Sequence, residues 1–378
     1  MDLERLKKLR RTLHESPEPS LNEFKTAEII LDFFNEVTQG SPLFMAHRPF
    51  LTSIVIDYHN GGDLPYKLFR ADMDAIKVDE SSTHEIISKN PGVMHACGHD
   101  IHMTVLCGIL AEVAEKLPEK NILFVFQPGE EGAGGAKKVI ESGVFDKYNI
   151  EAAHAIHVND DFLVGEIASN DNVLFAIPRE VDVVFEGKTA HAAFPERGHD
   201  ALAAAAEFLT VIEHNIRKNI NPTETFHAHF GKLVSGTARN VVSGHSKIEG
   251  TLRSFTSEMM EVGTKIVEET AQRCAEAYGC TSKLTILGEY IEVRNTPELF
   301  TKLKTAAEKH NIRCIYKKGD LVGEDFGYFT RKWSGIMFWV GCRKNLEAEP
   351  VSLHSNLFFP DFGAVEVALK VMLEMLNF

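Results

Sequence analysis

Residues 121–132, which read NILFVFQPGEEG, join an almost wholly apolar run to a polar turn that contains glycine. The run 121–126 predicts a strand in a sheet that is buried on both faces, because half-exposed strands alternate apolar with polar residues instead. The turn 127–132 then lies at the carboxyl end of that strand. Since ligands of open α/β sheets bind at this edge, the turn is predicted to carry functional side chains.

Helices and strands alternate on both sides of this stretch. Helical spacing of Leu, Ile and Phe predicts helices over 1–16 and 22–37, and Ser20 with Glu23 resembles a capping box. Further predicted elements are strands at 53–58, 66–70 and 152–158 and helices at 103–117 and 135–142. The alternation resumes after residue 295. This order is typical of an α/β domain with a mostly parallel sheet.

A different pattern occupies residues 176–288. The strictly alternating strand at 180–186 begins a β-α-β-β-α-β order, which is that of the ferredoxin-like unit. The predicted fold is therefore a large α/β catalytic domain formed by 1–175 and 289–378. A small ferredoxin-like α/β sandwich at 176–288 is inserted into it.

Composition excludes several classes of partner. The 378 residues carry a net charge of −14, which argues against nucleic acid or an anionic membrane, because phosphate groups bind to basic surfaces. The N-terminal residues alternate charge with leucine and lack the apolar core of a signal peptide. The six cysteines are therefore expected to be reduced thiols, and a cytoplasmic location is predicted.

Two short segments contain the side chains that a metal-dependent hydrolase needs. In 94–100, MHACGHD, Cys97 and His99 offer a thiolate and an imidazole for a divalent transition metal. After the apolar strand, one of the adjacent carboxylates of Glu130 and Glu131 can bind metal while the other takes a proton from water. Each segment alone also fits a plainer interpretation. The first can be a buried cysteine between surface histidines, and the second can be a solvated turn.

Two further segments contribute candidate histidines. His154 and His157 are three residues apart on a predicted strand, so they point to opposite faces and only one is expected to reach the site. His354 lies near the end of the sequence. Each of these histidines can also be structural when taken alone. The occurrence of four such segments at strand ends of one domain strengthens the prediction of a metal site.

The order of these motifs resembles the M20 metallopeptidase family, and most closely its amidohydrolase branch of aminoacylases, hippurate hydrolases and N-acetyl-amino-acid deacetylases. The combination of HACGHD with a following QPxEEG is highly specific, and the resemblance extends over essentially the whole chain. The motifs that carry it are 70–75 (RADMDA), 94–100 (MHACGHD), 127–132 (QPGEEG), 155–158 (AIHV), 187–195 (GKTAHAAFP), 323–326 (GEDF) and His354.

The resemblance implies a centre of two divalent metal ions, either Zn, Mn, Co or Ni. It implies that Glu130 is the general base acting on a metal-bound water and that Asp74 supports a metal ligand. Cys97 stands where relatives in other branches have a bridging aspartate, which implies a bridging thiolate. The implied metal ligands are Cys97, His99, Glu131, His157 and His354.

In the inserted domain, the resemblance implies that His191 stabilises the oxyanion and that Asn240 and Arg253 hold the substrate. It also implies a homodimer that forms through this domain, which then serves as lid and dimerisation domain. The roles of Asp72, Glu324 and Asp325, functional or structural, stay open.

The leading hypothesis is deacetylation of a small N-acetylated amino acid, with N-acetyl-L,L-diaminopimelate as the first choice of substrate. A broader aminoacylase or hippurate hydrolase and a dipeptidase of the same family are the alternatives within the same chemistry. A non-catalytic metal-binding module is the alternative of a different class. It is disfavoured because the candidate base and all five candidate ligands occur together.

Overall fold

The fold is given by a computed structural model that describes residues 2–288 and 290–378. None of the described helices is both long and apolar enough to cross a lipid bilayer. The helices are α1 (Leu3–His14), α2 (Phe24–Thr38), α3 (His99–Lys116), α4 (Gly135–Glu141), α5 (Ala201–Asn219), α6 (Ser257–Ala277), α7 (Pro297–Lys309), α8 (Gly327–Lys332) and α9 (Gly363–Met375). The strands are β1 (Phe44–His47), β2 (Ile54–His59), β3 (Tyr66–Asp72), β4 (Asn121–Gln127), β5 (Ile150–Leu163), β6 (Glu166–Ser169), β7 (Val173–Phe175), β8 (Ile177–Glu186), β9 (Ala190–His191), β10 (Phe226–Ser235), β11 (Val241–Val242), β12 (His245–Ser254), β13 (Thr281–Leu287), β14 (Val293–Arg294), β15 (Arg313–Tyr316) and β16 (Ser334–Arg343).

Contacts divide the chain into two compact units. The first unit comprises Met1–Leu174, Val293–Gly319 and Asp325–Phe378, and the second comprises Phe175–Glu292 and Asp320–Glu324. The short segment Asp320–Glu324 thus groups with the second unit.

The first unit is built on an eight-stranded sheet in the order β1-β2-β4-β3-β5-β16-β6-β15. The β4–β3, β3–β5, β5–β16 and β6–β15 pairs are parallel, whereas the β1–β2, β2–β4 and β16–β6 pairs are antiparallel. The sheet is therefore mostly parallel, and the predicted α/β class is confirmed.

The apolar run that begins at Asn121 forms β4, and all residues of this strand are buried. Side chains from its core face pack in one cluster with residues of α1, α2, α3, α7 and α9. Burial on both faces explains why this strand shows no alternation in sequence. The carboxyl ends of β3, β4 and β5 consequently meet at one edge of the sheet, because these strands are parallel neighbours.

Helix α3 starts at His99, four positions before the predicted start at residue 103. The residue before it, Gly98, has φ +82, which is a left-handed conformation that favours glycine. A Cβ placed on Gly98 would lie 2.3 Å from Cγ2 of Val158 on β5. The sharp entry to α3 therefore depends on glycine, and it places the 94–100 segment beside β5.

The second unit contains a four-stranded antiparallel sheet in the order β10-β12-β8-β13. Helices α5 and α6 pack on it, and their buried residues form a separate core with those of the sheet. Chain order is β8-α5-β10-β12-α6-β13, so the predicted ferredoxin-like sandwich is confirmed. Helix α5 is capped by Asp200, whose carboxylate accepts from the backbone N–H groups of Leu202 and Ala203.

The close approach at Gly98 gives a test of the fold. Gly40 has φ +75, and a Cβ added to it would meet no described atom within 4 Å, so Gly40→Ala changes backbone preference alone, at a cost of about 1–2 kcal/mol. Gly98→Ala adds the contact with Val158, and we expect it to destabilise the first unit by about 1–3 kcal/mol more. Thermal unfolding of both variants measures the difference. Equal melting temperatures would show that the contact with Val158 is unimportant.

Candidate metal centre

Three segments of the first unit bring candidate ligands to the carboxyl edge of the large sheet. His99 is the first residue of α3, Cys97 lies two residues before it, and His157 lies within β5. Glu130 and Glu131 follow β4 directly, in the turn before α4. These side chains are largely buried: Cys97 is 7% exposed, His99 1% and His157 5%.

Among the groups of side chains whose ligand atoms lie close enough together for one metal ion, two share Cys97. Cys97, His99 and His157 form the first group, and Cys97, Glu131 and His354 form the second, with the ligand atoms of each group within 4.8 Å of one another. Cys97 belongs to both groups. Its Sγ lies 3.3 Å from Nε2 of His157, and Nε2 of His354 lies 3.2 Å from Oε1 of Glu131. This arrangement has the geometry of two adjacent sites that share one sulfur ligand.

The hydrogen bonds of His99 provide a test of whether these residues suit a metal. Nδ1 of His99 lies 2.8 Å from the carbonyl oxygen of Asp74, which can only accept, so Nδ1 carries the proton. Nε2 of His99 is buried and finds no hydrogen-bond partner among the described residues. A buried imidazole nitrogen without a partner is costly, and a divalent metal would satisfy it. The mixed set of nitrogen, sulfur and oxygen donors fits Zn, Mn, Co or Ni.

The two histidines of β5 have different surroundings. His157 donates from Nδ1 to the carbonyl oxygen of Val158 at 2.8 Å, which leaves Nε2 toward Cys97. Burial lowers the pKa of His157 well below its ordinary value, so the ring is neutral and able to bind metal. His154 points to the other face, where it stacks on Phe69 with ring centroids 4.7 Å apart. The structure therefore brings His157, and not His154, to Cys97.

His354 is held in an unusual backbone conformation. Its φ is +66, in the left-handed region that residues other than glycine rarely adopt. Its backbone N–H donates to the carbonyl oxygen of Ala96 at 2.9 Å, next to Cys97 in sequence. The hydrogen bond to Glu131 raises the pKa of His354 above its ordinary value. Strain of this kind is found where the surrounding structure fixes a functional side chain.

Cys97 and His99 hold their protons strongly. Burial, together with the carboxylates of residues 130–131, raises the pKa of the Cys97 thiol well above its ordinary value. Burial alone would lower the pKa of His99, but the carboxylates of Asp72 and Asp74 outweigh it and raise that pKa to about 10. Both groups must therefore lose a proton before they can act as metal ligands.

Asp74 links His99 to the turn after β4. Its Oδ2 accepts from the hydroxyl of Ser20 at 2.6 Å and from the backbone N–H of Glu131 at 2.9 Å. Its Oδ1 lies 3.4 Å from Nδ1 of His99. The predicted capping box of Ser20 with Glu23 is therefore wrong: α2 begins at Phe24, and the Ser20 hydroxyl is engaged by Asp74 instead.

Asp72 and Asp325 belong to a buried ionic network behind the candidate ligands. Arg70 donates to Asp72 at 2.8 Å, to Asp325 at 2.9 Å and to the amide oxygen of Gln127 at 2.9 Å. Asp325 also accepts from the side-chain amide of Gln127 and from the backbone N–H of Ala136. This network ties the ends of β3 and β4 to the start of α4, on both sides of the 128–132 turn.

Arg70, Gln127 and His102 are near the candidate ligands but were not among the side chains predicted from the sequence to form the site. His102 donates from Nδ1 to Asp72 at 2.7 Å and accepts from the backbone N–H of Val158 at 3.0 Å. One signal was available: Arg70 lies in an otherwise apolar strand, where a charge is costly unless it is paired. That signal predicts a buried carboxylate nearby but does not say which one.

The predicted lid residues all belong to the second unit. His191 is exposed on β9 and pairs with Val241 of β11, and the N–H of Ala192 donates to the carbonyl oxygen of Asn240 at 2.9 Å. Arg253, on β12, donates to the carbonyl oxygen of Leu321 at 2.7 Å. Glu324 also belongs to this unit and is 1% exposed.

Proteins of similar sequence match this chain over nearly its whole length. The model of peptidase family M20/M25/M40 matches residues 68–377. A relative from Shouchella clausii, named N-acetyldiaminopimelate deacetylase, is 33% identical over 98% of this chain and 96% of its own. A relative of the same name from Streptococcus uberis is 36% identical over 96% of this chain and 95% of its own.

Solved structures agree with the sequence relatives. The Bacillus subtilis YXEP protein, described as a dinuclear metal-binding peptidase from the M20 family, is 26% identical with a TM-score of 0.85, and the match covers 99% of this chain and 97% of that chain. The extent of the family match and the identity to full-length relatives lead to one assignment. The chain belongs to peptidase family M20/M25/M40, a family of hydrolases.

Proposed function

We propose that this hydrolase removes the acetyl group from N-acetyl-L,L-diaminopimelate, giving L,L-diaminopimelate and acetate for lysine biosynthesis. The relatives named N-acetyldiaminopimelate deacetylase, which match nearly the whole length of this chain, support the choice of substrate. The observation that carries the chemistry is the pair of ligand groups that share Cys97, with the Glu130 carboxylate beside them.

Two divalent ions are the proposed cofactor, with Cys97, His99 and His157 at one position and Cys97, Glu131 and His354 at the other. When bound, such ions supply Lewis acidity that polarises an amide carbonyl and makes water more acidic. The protein's part is to hold these ligands in fixed orientations, which the backbone carbonyls of Asp74 and Val158 do for two of the imidazoles.

Glu130 is the proposed general base. It is 5% exposed, and its carboxylate lies within 4.8 Å of ligand atoms of His99 and Glu131. In the proposed reaction, Glu130 takes a proton from the attacking water as the new C–O bond forms at the acetyl carbon. It then delivers that proton to the amide nitrogen as the C–N bond breaks, so that acetate and the free amine leave.

The second unit is proposed to complete the site. His191 would donate to the oxyanion, and Asn240 and Arg253 would hold the substrate, with the Arg253 guanidinium forming a paired hydrogen bond to a substrate carboxylate. His191 is preceded by Ala190, where the family usually has glycine. Ala190 lies in the extended strand β9, a conformation that alanine adopts without strain.

We also propose a cytoplasmic homodimer that assembles through the second unit and binds neither nucleic acid nor membrane. Strand β10 lies at one edge of the four-stranded sheet, and its residues Leu233 and Val234 are 37% and 56% exposed. An edge strand with exposed apolar residues is a natural surface for pairing with another chain. The net charge of −14 supports the absence of a phosphate-rich partner.

Metal binding is expected to release protons. Because the pKa values of Cys97 and His99 both lie above 7 in the metal-free protein, both groups are protonated at neutral pH, and the metal must displace about two protons or more. Metal affinity should therefore rise with pH. Calorimetric titration at pH 7 in two buffers of different ionisation enthalpy measures the number released. Cys107→Ala, which removes another buried thiol of α3, should leave that number unchanged, and release of no protons would contradict the proposed ligand set.

The substrate and the base can be tested together. Metal-loaded protein is expected to release acetate from N-acetyl-L,L-diaminopimelate in preference to N-acetylmethionine, and to hydrolyse it faster than hippurate. Glu130→Gln should lower kcat by about a thousandfold with unchanged metal content, because it removes the proton acceptor but no metal ligand. Glu141→Gln, an exposed carboxylate on α4, is the matched control and should keep wild-type activity.

Each alternative predicts a different result in that assay. Equal or better turnover of N-acetylmethionine or hippurate would indicate a broader aminoacylase, and cleavage of dipeptides alone would indicate a dipeptidase. Metal uptake without hydrolysis of any of these compounds would indicate a binding module.

Arg253 can be tested by its effect on substrate affinity. Loss of a charge-assisted hydrogen bond to the substrate should raise KM of Arg253→Ala by about tenfold to a hundredfold, with a smaller change in kcat. Arg217→Ala, which removes an exposed arginine from α5, is the control. An unchanged KM in Arg253→Ala would remove this residue from the proposed substrate site.

A further inference from the structure

The segment Ser20–Glu23 lies just before α2 and ends in the carboxylate of Glu23. The position of Glu23 at the start of the helix does not explain what this carboxylate does. Glu23 is fully buried, with 0% exposure. It occupies the N-cap position of α2 but makes no side-chain capping bond. One N–H group of the first turn is satisfied by a different side chain, because Glu18 accepts from the backbone N–H of Thr26 at 2.8 Å. Glu23 is therefore available for another contact.

That contact is with the turn that carries the proposed base. Oε1 of Glu23 accepts from the backbone N–H of Gly129 at 2.9 Å and from that of Leu21 at 2.7 Å. Oε2 accepts from the hydroxyl of Thr52 at 2.5 Å. A buried carboxylate is tolerated only when such donors satisfy it, so these bonds fix its position.

The two residues on either side of Glu130 are thus each held by a buried carboxylate. Gly129 donates to Glu23, and Glu131 donates to Asp74. Gly129 has φ +64, and a Cβ placed on it would lie 2.7 Å from Cδ2 of Leu21. The backbone at Gly129 therefore has little conformational freedom, because its contacts with Glu23 and Leu21 restrict it.

We propose that Glu23 is a positioning residue, which holds Gly129 and through it sets the place of the Glu130 carboxylate. This inference rests on the proposed role of Glu130 as the base. Proton transfer depends steeply on distance, and a displacement of about 1 Å at a catalytic group can cost about a hundredfold in rate. A loosened turn would therefore lower kcat while substrate binding, which uses other residues, stays the same.

Two conservative variants of Glu23 separate the effect of side-chain length from the effect of charge. Glu23→Gln keeps the length, so its amide oxygen can accept from Gly129 while its NH₂ group donates to the Thr52 hydroxyl. Glu23→Asp keeps the charge but is one methylene shorter, so it cannot hold Gly129 and Thr52 together. Glu28→Ala is the control, because Glu28 is an exposed carboxylate on the same helix, paired only with Lys25 among the described contacts.

The metal-loaded full chain is compared in three measurements: metal content, steady-state kinetics, and hydrogen exchange of the peptide that spans residues 128–135. Glu23→Asp should lower kcat about tenfold to a hundredfold with KM within about twofold, and speed exchange in that peptide about tenfold, at unchanged metal content. Glu23→Gln and Glu28→Ala should stay within about threefold of wild type in both readouts.

Unchanged exchange and kcat in Glu23→Asp would overturn the proposal. A loss in Glu23→Gln as large as that in Glu23→Asp would overturn it too, because charge rather than position would then be responsible. The proposed function fails separately, if Glu130→Gln keeps its activity. In that case the exchange data still decide whether Glu23 holds the turn.

Discussion

Several carboxylates are buried together at the carboxyl edge of the large sheet, and the need to satisfy them organises the structure around it. Asp72, Asp74 and Asp325 are each at most 1% exposed. A charge in this setting is costly unless it is paired or hydrogen-bonded. Arg70 pairs with Asp72 and Asp325, whereas Asp74 accepts from a hydroxyl and a backbone N–H. These contacts join β3, β4 and α4 into one rigid frame.

The candidate ligands lie next to that frame, and Cys97 and His99 differ from its carboxylates in that they are protonated. Burial and nearby carboxylates keep the thiol of Cys97 protonated, whereas at His99 the carboxylates outweigh burial and keep the imidazole protonated. The positive charge that faces these carboxylates in the metal-free protein is then that of the His99 imidazolium. The proposed metal ions would take over this role. A site of this kind is expected to couple metal affinity to pH, since protons and metal compete for the same atoms.

Distant parts of the sequence meet at the turn 128–132. Asp74 and Glu23 hold its backbone, and Gln127, which precedes the turn, is bonded to Arg70 and Asp325. The turn has two glycines, Gly129 and Gly132, which allow its shape but do not enforce it. Its conformation is therefore set from outside, by side chains that are far away along the chain.

The sequence by itself determined the α/β class, the ferredoxin-like order of the second unit, and the segments that carry candidate ligands. These features follow from local patterns, because a periodicity of 2 or 3.6 residues and a short motif can both be recognised within a short stretch of the chain. The sequence also predicted that only one of His154 and His157 faces the site, because successive side chains along a strand point to opposite faces. Only the tertiary structure decided that Cys97 belongs to both ligand groups, that Arg70 satisfies Asp72 and Asp325, and that Glu23 reaches Gly129 instead of completing a capping box. Most of those contacts join residues that are far apart in the chain, such as Arg70 with Asp325 and Glu23 with Gly129. Which donor meets which acceptor there depends on how the packed strands and helices bring them together.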